Sequence, residues 1–124
     1  MTEHDEQVAL FAFLGYMEGK HPELKWIHAI PNGGLRHKAT AGKMKAEGAK
    51  AGVLDIFVPI TIGWIPGFYI EMKFGNNGLT DKQAEFYHFV ASQGYMTAVC
   101  HNWIEAASAI FWYLGLEKPP EIQG

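Results

Sequence analysis

Alternation of apolar and polar residues marks two neighbouring stretches, residues 51–60 and 67–74, as β-strands. Both are rich in β-branched and aromatic residues, which favour strands. Because successive side chains of a strand point to opposite faces, Tyr69, Glu71 and Lys73 are predicted to share one face, and the residues between them the other. A glutamate and a lysine between apolar neighbours on a central strand are costly unless they pair, bind a metal or line a cleft.

A second carboxylate, Asp55, lies in a similarly apolar run one strand earlier. Residues 61–66 connect the two strands, so the pair is most simply an antiparallel hairpin. We therefore expect Asp55, Glu71 and Lys73 to converge.

Capping and helix-ending residues predict four helices around these strands. The predicted elements are a helix from Thr2 to Gly19, a strand at 24–30, a turn at 31–34, a basic helix at 35–48, the hairpin, a helix capped by Thr80 with Gln83 and ended by Gly94, a strand at 95–101, and a helix capped by Asn102 with Glu105 and ended by Gly115. The order α-β-α-β-β-α-β-α predicts an α/β fold, a mixed β-sheet flanked by helices. We expect one domain over 1–118 and a flexible C-terminal tail over 119–124.

The composition is that of a globular protein, with 48% hydrophobic and 19% charged residues among 124. No apolar run is long enough to span a bilayer, and the acidic N-terminus is unlike a signal peptide. The single cysteine, Cys100, suits a reducing compartment. We therefore expect no membrane partner and a cytoplasmic location, in a bacterium or a phage-infected cell.

The net charge of -3 hides a basic stretch at 36–50, which holds five lysine or arginine residues against one glutamate. A local basic stretch in an acidic protein is a candidate phosphate-contacting surface. Taken alone, such a stretch is more often a solvated helix face.

Two carboxylates pointing at one spot form the hard-oxygen environment that selects Mg²⁺ or Mn²⁺. Such a metal suits phosphodiester hydrolysis, and Lys73 beside it could orient water or stabilise charge on the phosphate. Each residue also has a structural interpretation. Glu71 and Lys73 could be a same-face ion pair, Gln83 a capping residue, and Glu3 or Glu6 a favourable charge at a helix start. The joint arrangement favours the catalytic interpretation.

Taken together, these stretches resemble the PD-(D/E)XK nuclease superfamily, and within it the virus-type replication-repair nuclease (VRR-NUC) domains. The matching stretches are HAIPNGGLR at 28–36, GAKAGVLD at 48–55, IEMK at 70–73, GLTDKQ at 78–83, GYMTAV at 94–99 and YL at 113–114. The family usually has proline before the aspartate, where this chain has Leu54. The aspartate performs the coordination, so we expect the difference to be harmless.

The resemblance implies a restriction-endonuclease-like core and a Mg²⁺- or Mn²⁺-dependent, structure-specific DNA endonuclease. Its substrate would be branched DNA, and a homodimer resembling a Holliday-junction resolvase is the expected form. The implied catalytic residues are Asp55, Glu71, Lys73 and Gln83. The implied metal ligands are Asp55, Glu71, the backbone carbonyl of Met72, and Glu3 or Glu6.

Contact with DNA is expected from the turn at 31–34 and the basic helix, gripping phosphates rather than reading bases. The expected contact residues are Asn32, Gly33, Gly34, Arg36, His37, Lys38, Lys43 and Lys45. The aromatic residues Trp64, Phe68, Trp103 and Trp112 could form a dimer interface, although core packing is the simpler role for most of them.

Four other functions compete with this interpretation. A flap or nicking nuclease, and a non-catalytic DNA-binding module with the same fold, remain alternatives, although buried charges argue against the second. An HNH-type nuclease would use His28, Asn32, His101 and Asn102, whose spacing does not suit that chemistry. A hydrolase of small phosphates is disfavoured by the basic helix and the lack of a Gly-rich nucleotide loop.

Overall fold

A computed structural model describes residues 1–31 and 38–123 of the chain, with no side chains given for residues 38–41. The helices are α1 (Glu3–Met17), α2 (Lys38–Ala46), α3 (Asp81–Ser92) and α4 (Trp103–Leu114). The strands are β1 (His28–Ala29), β2 (Ile56–Val58), β3 (Phe68–Met72) and β4 (Met96–Cys100). Two short 3-10 helices lie at Pro22–Trp26 and Pro120–Ile122. This order confirms the predicted α-β-α-β-β-α-β-α succession.

The strands form one mixed sheet in the order β1-β2-β3-β4. β1 pairs with β2 and β2 with β3 in antiparallel fashion, whereas β3 and β4 are parallel. Two parallel strands need a crossover between them, and α3 supplies it. The mixed sheet flanked by helices and the antiparallel hairpin are therefore confirmed.

The two faces of the sheet have different surroundings. On one face Ile56, Ile70 and Met72 join a core built with the buried residues of α1 and α4, such as Leu10 and Phe111. Side chains from α3 cover part of the other face, with the Phe86 ring 5.3 Å from that of Tyr69. The main apolar core therefore lies on the face covered by α1 and α4, and α3 packs on the face that carries Tyr69.

Local capping residues position α3 and α4. Thr80 and Gln83 form a reciprocal capping box at the start of α3. Asn102 accepts the Glu105 N–H at the start of α4, but the Glu105 carboxylate bonds the His101 N–H and the Asn102 side chain instead of closing a box. The helix-ending role predicted for Gly115 is confirmed by its positive φ of 70°.

Two predicted boundaries near the N-terminus are wrong. α1 ends at Met17 and Gly19 has no positive φ, because backbone bonds from Lys20 and His21 to the Met17 carbonyl turn the chain. Of the strand predicted at 24–30, residues 24–26 belong to the first 3-10 helix, which begins at Pro22, and β1 takes up only His28–Ala29. Proline at the start of a helical turn favours this because its φ is already helical. The predicted start of the basic helix at 35–37 lies outside the described residues.

Residues 119–123, for which the sequence predicts a flexible tail, pack against the core through Ile122. Ile122 is 1% exposed and belongs to the core, and the Ser108 hydroxyl donates to its carbonyl at 2.9 Å. The apolar contact of Ile122 with the core outweighs the disorder that Pro119 and Pro120 suggest in the sequence.

The four aromatic residues considered for an interface divide into two groups. Phe68 is buried, and the Trp103 ring packs 5.5 Å from that of Phe13. Trp64 is 99% exposed and Trp112 is 62% exposed.

Within residues 1–31 and 38–123, none of the helices has the length and apolar character that crossing a bilayer requires.

Candidate active site

Asp55 and Glu71 are held against each other at the end of the β2–β3 hairpin. Asp55 lies one residue before β2, and its N–H donates to Glu71 Oε1 at 3.1 Å. The N–H of Met72, next to Glu71 on β3, donates to Asp55 Oδ2 at 3.0 Å. Each carboxylate is therefore oriented by the backbone of the opposite strand.

Gln83 reaches this pair from the first turn of α3. Its Nε2 donates to Glu71 Oε2 at 2.9 Å, while its Oε1 accepts the Thr80 N–H at 3.0 Å. A capping residue would normally face solvent, but here the same amide closes the cap and binds the buried carboxylate. The capping box thus fixes the orientation of Glu71 as well as the helix start.

Lys73 supplies positive charge on the same face. Its Nζ lies 3.6 Å from Glu71 Oε2, and its side chain is 11% exposed. The Lys73 N–H bonds the Cys100 carbonyl at 2.9 Å, which ties this end of β3 to β4. The ammonium group is thus held beside the carboxylates by the sheet itself.

Burial perturbs both acids. Desolvation, then the charge of Asp55, raises the pKa of Glu71 to about 8, against which Lys73 only partly compensates. Desolvation also raises the pKa of Asp55, partly offset by the bond from the Met72 amide. Desolvation is the first cause of both shifts, because burial disfavours the charged form of a carboxyl group.

A close backbone contact holds the loop before Asp55 against α3. Gly52 has a φ of +90°, and a Cβ placed on it would lie 2.5 Å from the Lys82 carbonyl oxygen. Only glycine fits both constraints. The contact fixes the distance between the Asp55 loop and the helix turn that carries Gln83.

The two N-terminal glutamates have different positions. Glu3 Oε2 accepts the Phe74 N–H at 3.2 Å, one residue beyond Lys73, and its charge contributes to the raised pKa of Asp55. Glu6 instead accepts the Trp103 N–H at 2.9 Å, at the start of α4. Of the two predicted alternatives, Glu3 is therefore the one near the site.

The oxygen donors fit a divalent cation that prefers hard ligands. Among the described residues, no three histidine, cysteine, aspartate or glutamate side chains are grouped so that they could hold a metal alone. The Asp55 and Glu71 carboxylates are the candidate ligands. The N–H and C=O of one strand residue point to the same side, and the Met72 N–H bonds Asp55, so the Met72 carbonyl also faces Asp55. One or two carboxylates with several waters is the usual Mg²⁺ environment, and a cation here would offset the desolvation that raises both pKa values.

The predicted DNA-contacting residues are only partly described. Asn32, Gly33, Gly34, Arg36 and His37 lie outside the described residues, as does the side chain of Lys38. Lys43 and Lys45 are exposed on the last turn of α2. These two cations are available to a partner in solvent.

One exposed residue, His28, lies on the face of the sheet that carries Glu71, although the sequence predicts no role for it in the metal site. It pairs with Phe57, and Phe57 pairs with Tyr69, so the three side chains form one row across the sheet. That row adjoins Asp55 and Glu71. Strand alternation in the sequence shows which residues share a face within one strand. Placing His28 on the face of Glu71 also requires the β1–β2 register, which no local pattern provides.

Fold and site together are consistent with the PD-(D/E)XK class of nucleases, with an aspartate at a hairpin end, a Glu-x-Lys strand and a glutamine helix on one face of a mixed sheet. The family model for the VRR-NUC domain matches residues 19–103, more than half of the chain. The chain therefore belongs to the VRR-NUC family.

A solved structure described as a VRR_NUC domain protein is similar over nearly the whole chain. The sequence identity is 28%, the match covers 95% of this chain and 92% of the other, and the TM-score is 0.74. Comparison with curated protein sequences finds no match. The structural similarity extends beyond the matched range of the family model to α1 and α4, which enclose the core.

Proposed function

We propose that this protein is a Mg²⁺- or Mn²⁺-dependent DNA endonuclease that hydrolyses phosphodiester bonds in branched DNA, as a Holliday-junction resolvase does. The observation that carries the proposal is the cluster of Asp55, Glu71, Lys73 and Gln83 on one face of the sheet. A small-phosphate hydrolase would not need the exposed lysines of α2. Family membership supports nuclease chemistry in general, whereas the metal and the branched substrate are part of the proposal.

Asp55 and Glu71 would hold the cation, with the Met72 carbonyl as a third oxygen donor and Glu3 as an outer carboxylate. A bound Mg²⁺ or Mn²⁺ supplies Lewis acidity toward the phosphoryl oxygen and water of lowered pKa. Gln83 keeps Glu71 Oε2 in place through its 2.9 Å bond, so that the carboxylate does not rotate away from the cation.

Lys73 acts on the substrate side of the site. Its ammonium group has three N–H donors, and Glu71 Oε2 at 3.6 Å engages the group only loosely. The remaining donors can orient the attacking water or bond a phosphate oxygen as charge develops there. Lysine is suited to this because its charge is compact and its donors rotate.

The proposed substrate and assembly follow from charge and symmetry. Lys43 and Lys45 offer phosphate contacts, and such contacts favour shape over base sequence. Two copies related by a two-fold axis could cut a symmetric four-way junction at paired positions, so we propose a homodimer. The expected setting is the cytoplasm of a bacterium or of a phage-infected cell.

The test compares cleavage of four-way junction, flap, splayed and linear duplex DNA with Mg²⁺ and with Mn²⁺. We expect paired symmetric nicks on the junction. Asp55→Asn and Lys73→Ala should each reduce the cleavage rate by at least ~100-fold while DNA binding persists. Asp81→Asn, an exposed carboxylate on α3, is the matched control and should cleave as wild type does.

Two other outcomes of the cleavage assay would favour the alternative functions. Preferential cutting of flaps would favour a flap nuclease, and binding without cleavage by wild type in either metal would favour a non-catalytic module. Light scattering tests the dimer separately, since a monomer that makes unpaired nicks would contradict the resolvase arrangement and leave the nuclease assignment intact.

A further inference from the structure

β1 carries an exposed histidine on the face of the sheet that holds the catalytic residues. The ring of His28 stands edge-on to that of Phe57, with centroids 6.0 Å apart and planes at 78°, and Phe57 lies 4.5 Å from Tyr69. These ring contacts agree with the strand register His28–Phe57–Tyr69. Tyr69 and Glu71 are two residues apart on β3, so His28 and Glu71 face the same side.

The distance from His28 to the proposed metal site is short. The Ile30 N–H donates to the Asp55 carbonyl at 2.7 Å, so Ile30 lies beside Asp55, directly after β1, and His28 lies two residues earlier in the chain. With strands about 4.8 Å apart and a rise of about 3.3 Å per residue, the His28 and Asp55 backbones are roughly 8 Å apart. A nucleic acid strand that reaches Asp55 can therefore place a neighbouring phosphate near His28.

The orientation of the imidazole is fixed by a single bond. His28 Nδ1 lies 2.9 Å from the Trp26 carbonyl oxygen, and a carbonyl can only accept, so Nδ1 carries the proton. The side chain is exposed, and within residues 1–31 and 38–123 its hydrogen bond is made by Nδ1 and not by the other ring nitrogen, Nε2. A histidine fixed at one nitrogen by a backbone carbonyl presents the other in a defined direction.

From these contacts we propose that His28 binds a phosphate of the substrate strand next to the one that is cut, donating Nε2–H as an imidazolium. This inference rests on the proposed nuclease function. A phosphate oxygen supplies the negative charge that favours the cationic ring. β1 thereby extends the substrate surface of the site from β3 to the edge of the sheet.

The first test measures binding to fluorescent junction DNA with Ca²⁺ in place of Mg²⁺, over a series of salt concentrations. We expect His28→Ala to raise Kd roughly five-fold and to lower the slope of log K against log salt by about 0.9, as loss of one phosphate contact does. His88→Ala is the matched control, because His88 is also exposed but lies on α3. It should leave both quantities unchanged.

The second test identifies the phosphate. Single methylphosphonates, which are uncharged, replace in turn the phosphates flanking the cut, and single-turnover cleavage is measured with wild type and with His28→Ala. One substitution should slow wild type roughly five-fold and have no further effect on His28→Ala, since both changes remove the same contact. Additive effects at every position would overturn the proposal.

Failure of this inference is distinguishable from failure of the proposed function. Wild-type protein that binds junctions but never cleaves them contradicts the nuclease proposal, while the Kd and salt slope of His28→Ala still decide whether His28 contacts a phosphate. Wild-type protein that cleaves, with His28→Ala matching His88→Ala in Kd and salt slope, contradicts the role of His28 alone.

Discussion

Replacing Glu71 by glutamine should change how the stability of the metal-free protein depends on pH. The Glu71 side chain is almost fully buried, and desolvation followed by the Asp55 charge raises its pKa to about 8 from an ordinary value of 4.5. The folded state therefore binds this proton more tightly than the unfolded chain does.

The sign and size of the effect follow from linkage. The free energy of unfolding is largest below the ordinary pKa of 4.5 and falls as pH rises toward about 8, because the folded state must then lose a tightly held proton. With about 1.36 kcal/mol per pKa unit, wild type should lose about 3 kcal/mol between about pH 5 and pH 7.5. The raised pKa of Asp55 adds a loss of the same sign at lower pH.

Glutamine has nearly the same shape and does not titrate in this range. Glu71→Gln should therefore keep only the pH dependence that Asp55 contributes. Its new amide group faces the Gln83 Nε2–H donor, and this unfavourable contact costs the same at every pH. The free energy of unfolding of Glu71→Gln is thus lowered equally at every pH by this contact, and it falls less steeply with pH than that of wild type. Glu85→Gln, at an exposed position on α3, should keep the wild-type slope.

The measurement is urea unfolding in EDTA at several pH values between about 5 and 7.5, followed by the fluorescence of the four tryptophans. Adding Mg²⁺ should stabilise wild type more as pH rises, because the cation competes with the Glu71 proton. Parallel curves for wild type and Glu71→Gln in EDTA would refute the raised pKa. Such a result would also contradict the inference that burial disfavours the charged form of Glu71.

Three further predictions concern the residues that support the site and the core. Gly52→Ala should destabilise the protein by at least about 1–3 kcal/mol in urea unfolding, because it combines a positive φ with a clash against the Lys82 carbonyl; an unchanged midpoint would contradict this. Gln83→Leu should weaken Mg²⁺ binding roughly ten-fold by freeing Glu71, measured by calorimetry, and an unaltered affinity would argue for a capping role only. Ile122→Ala should cost about 2–4 kcal/mol, whereas a flexible tail would tolerate it with no change in unfolding.

Much of the fold followed from signals that act over a few residues. Thr80 and Gln83 predicted the start of α3, and Gly115 predicted the end of α4, because capping bonds join groups within one turn of a helix. Alternation along β3 likewise predicted that Glu71 and Lys73 share a face. The mistaken boundaries, such as Gly19, arose where backbone bonds of a tight turn ended the helix earlier than the glycine indicated.

The remaining features depend on contacts between distant parts of the chain. The helix stripe that Glu3 shares with Gln7 favours Glu3 over Glu6, but only the packing of α1 directs the first toward Phe74 and the second toward α4. The burial of Ile122 likewise depends on its packing against the core and on the bond from Ser108 of α4.

By itself, the sequence determined the order of the elements, the face shared by Glu71 and Lys73, and the resemblance to one nuclease family. The tertiary structure decided that Gln83 binds Glu71 and that His28 lies in the row beside Asp55. The physical reason is that caps and strand alternation are properties of neighbouring residues. Strand register and burial, in contrast, are set by which distant surfaces exclude water together.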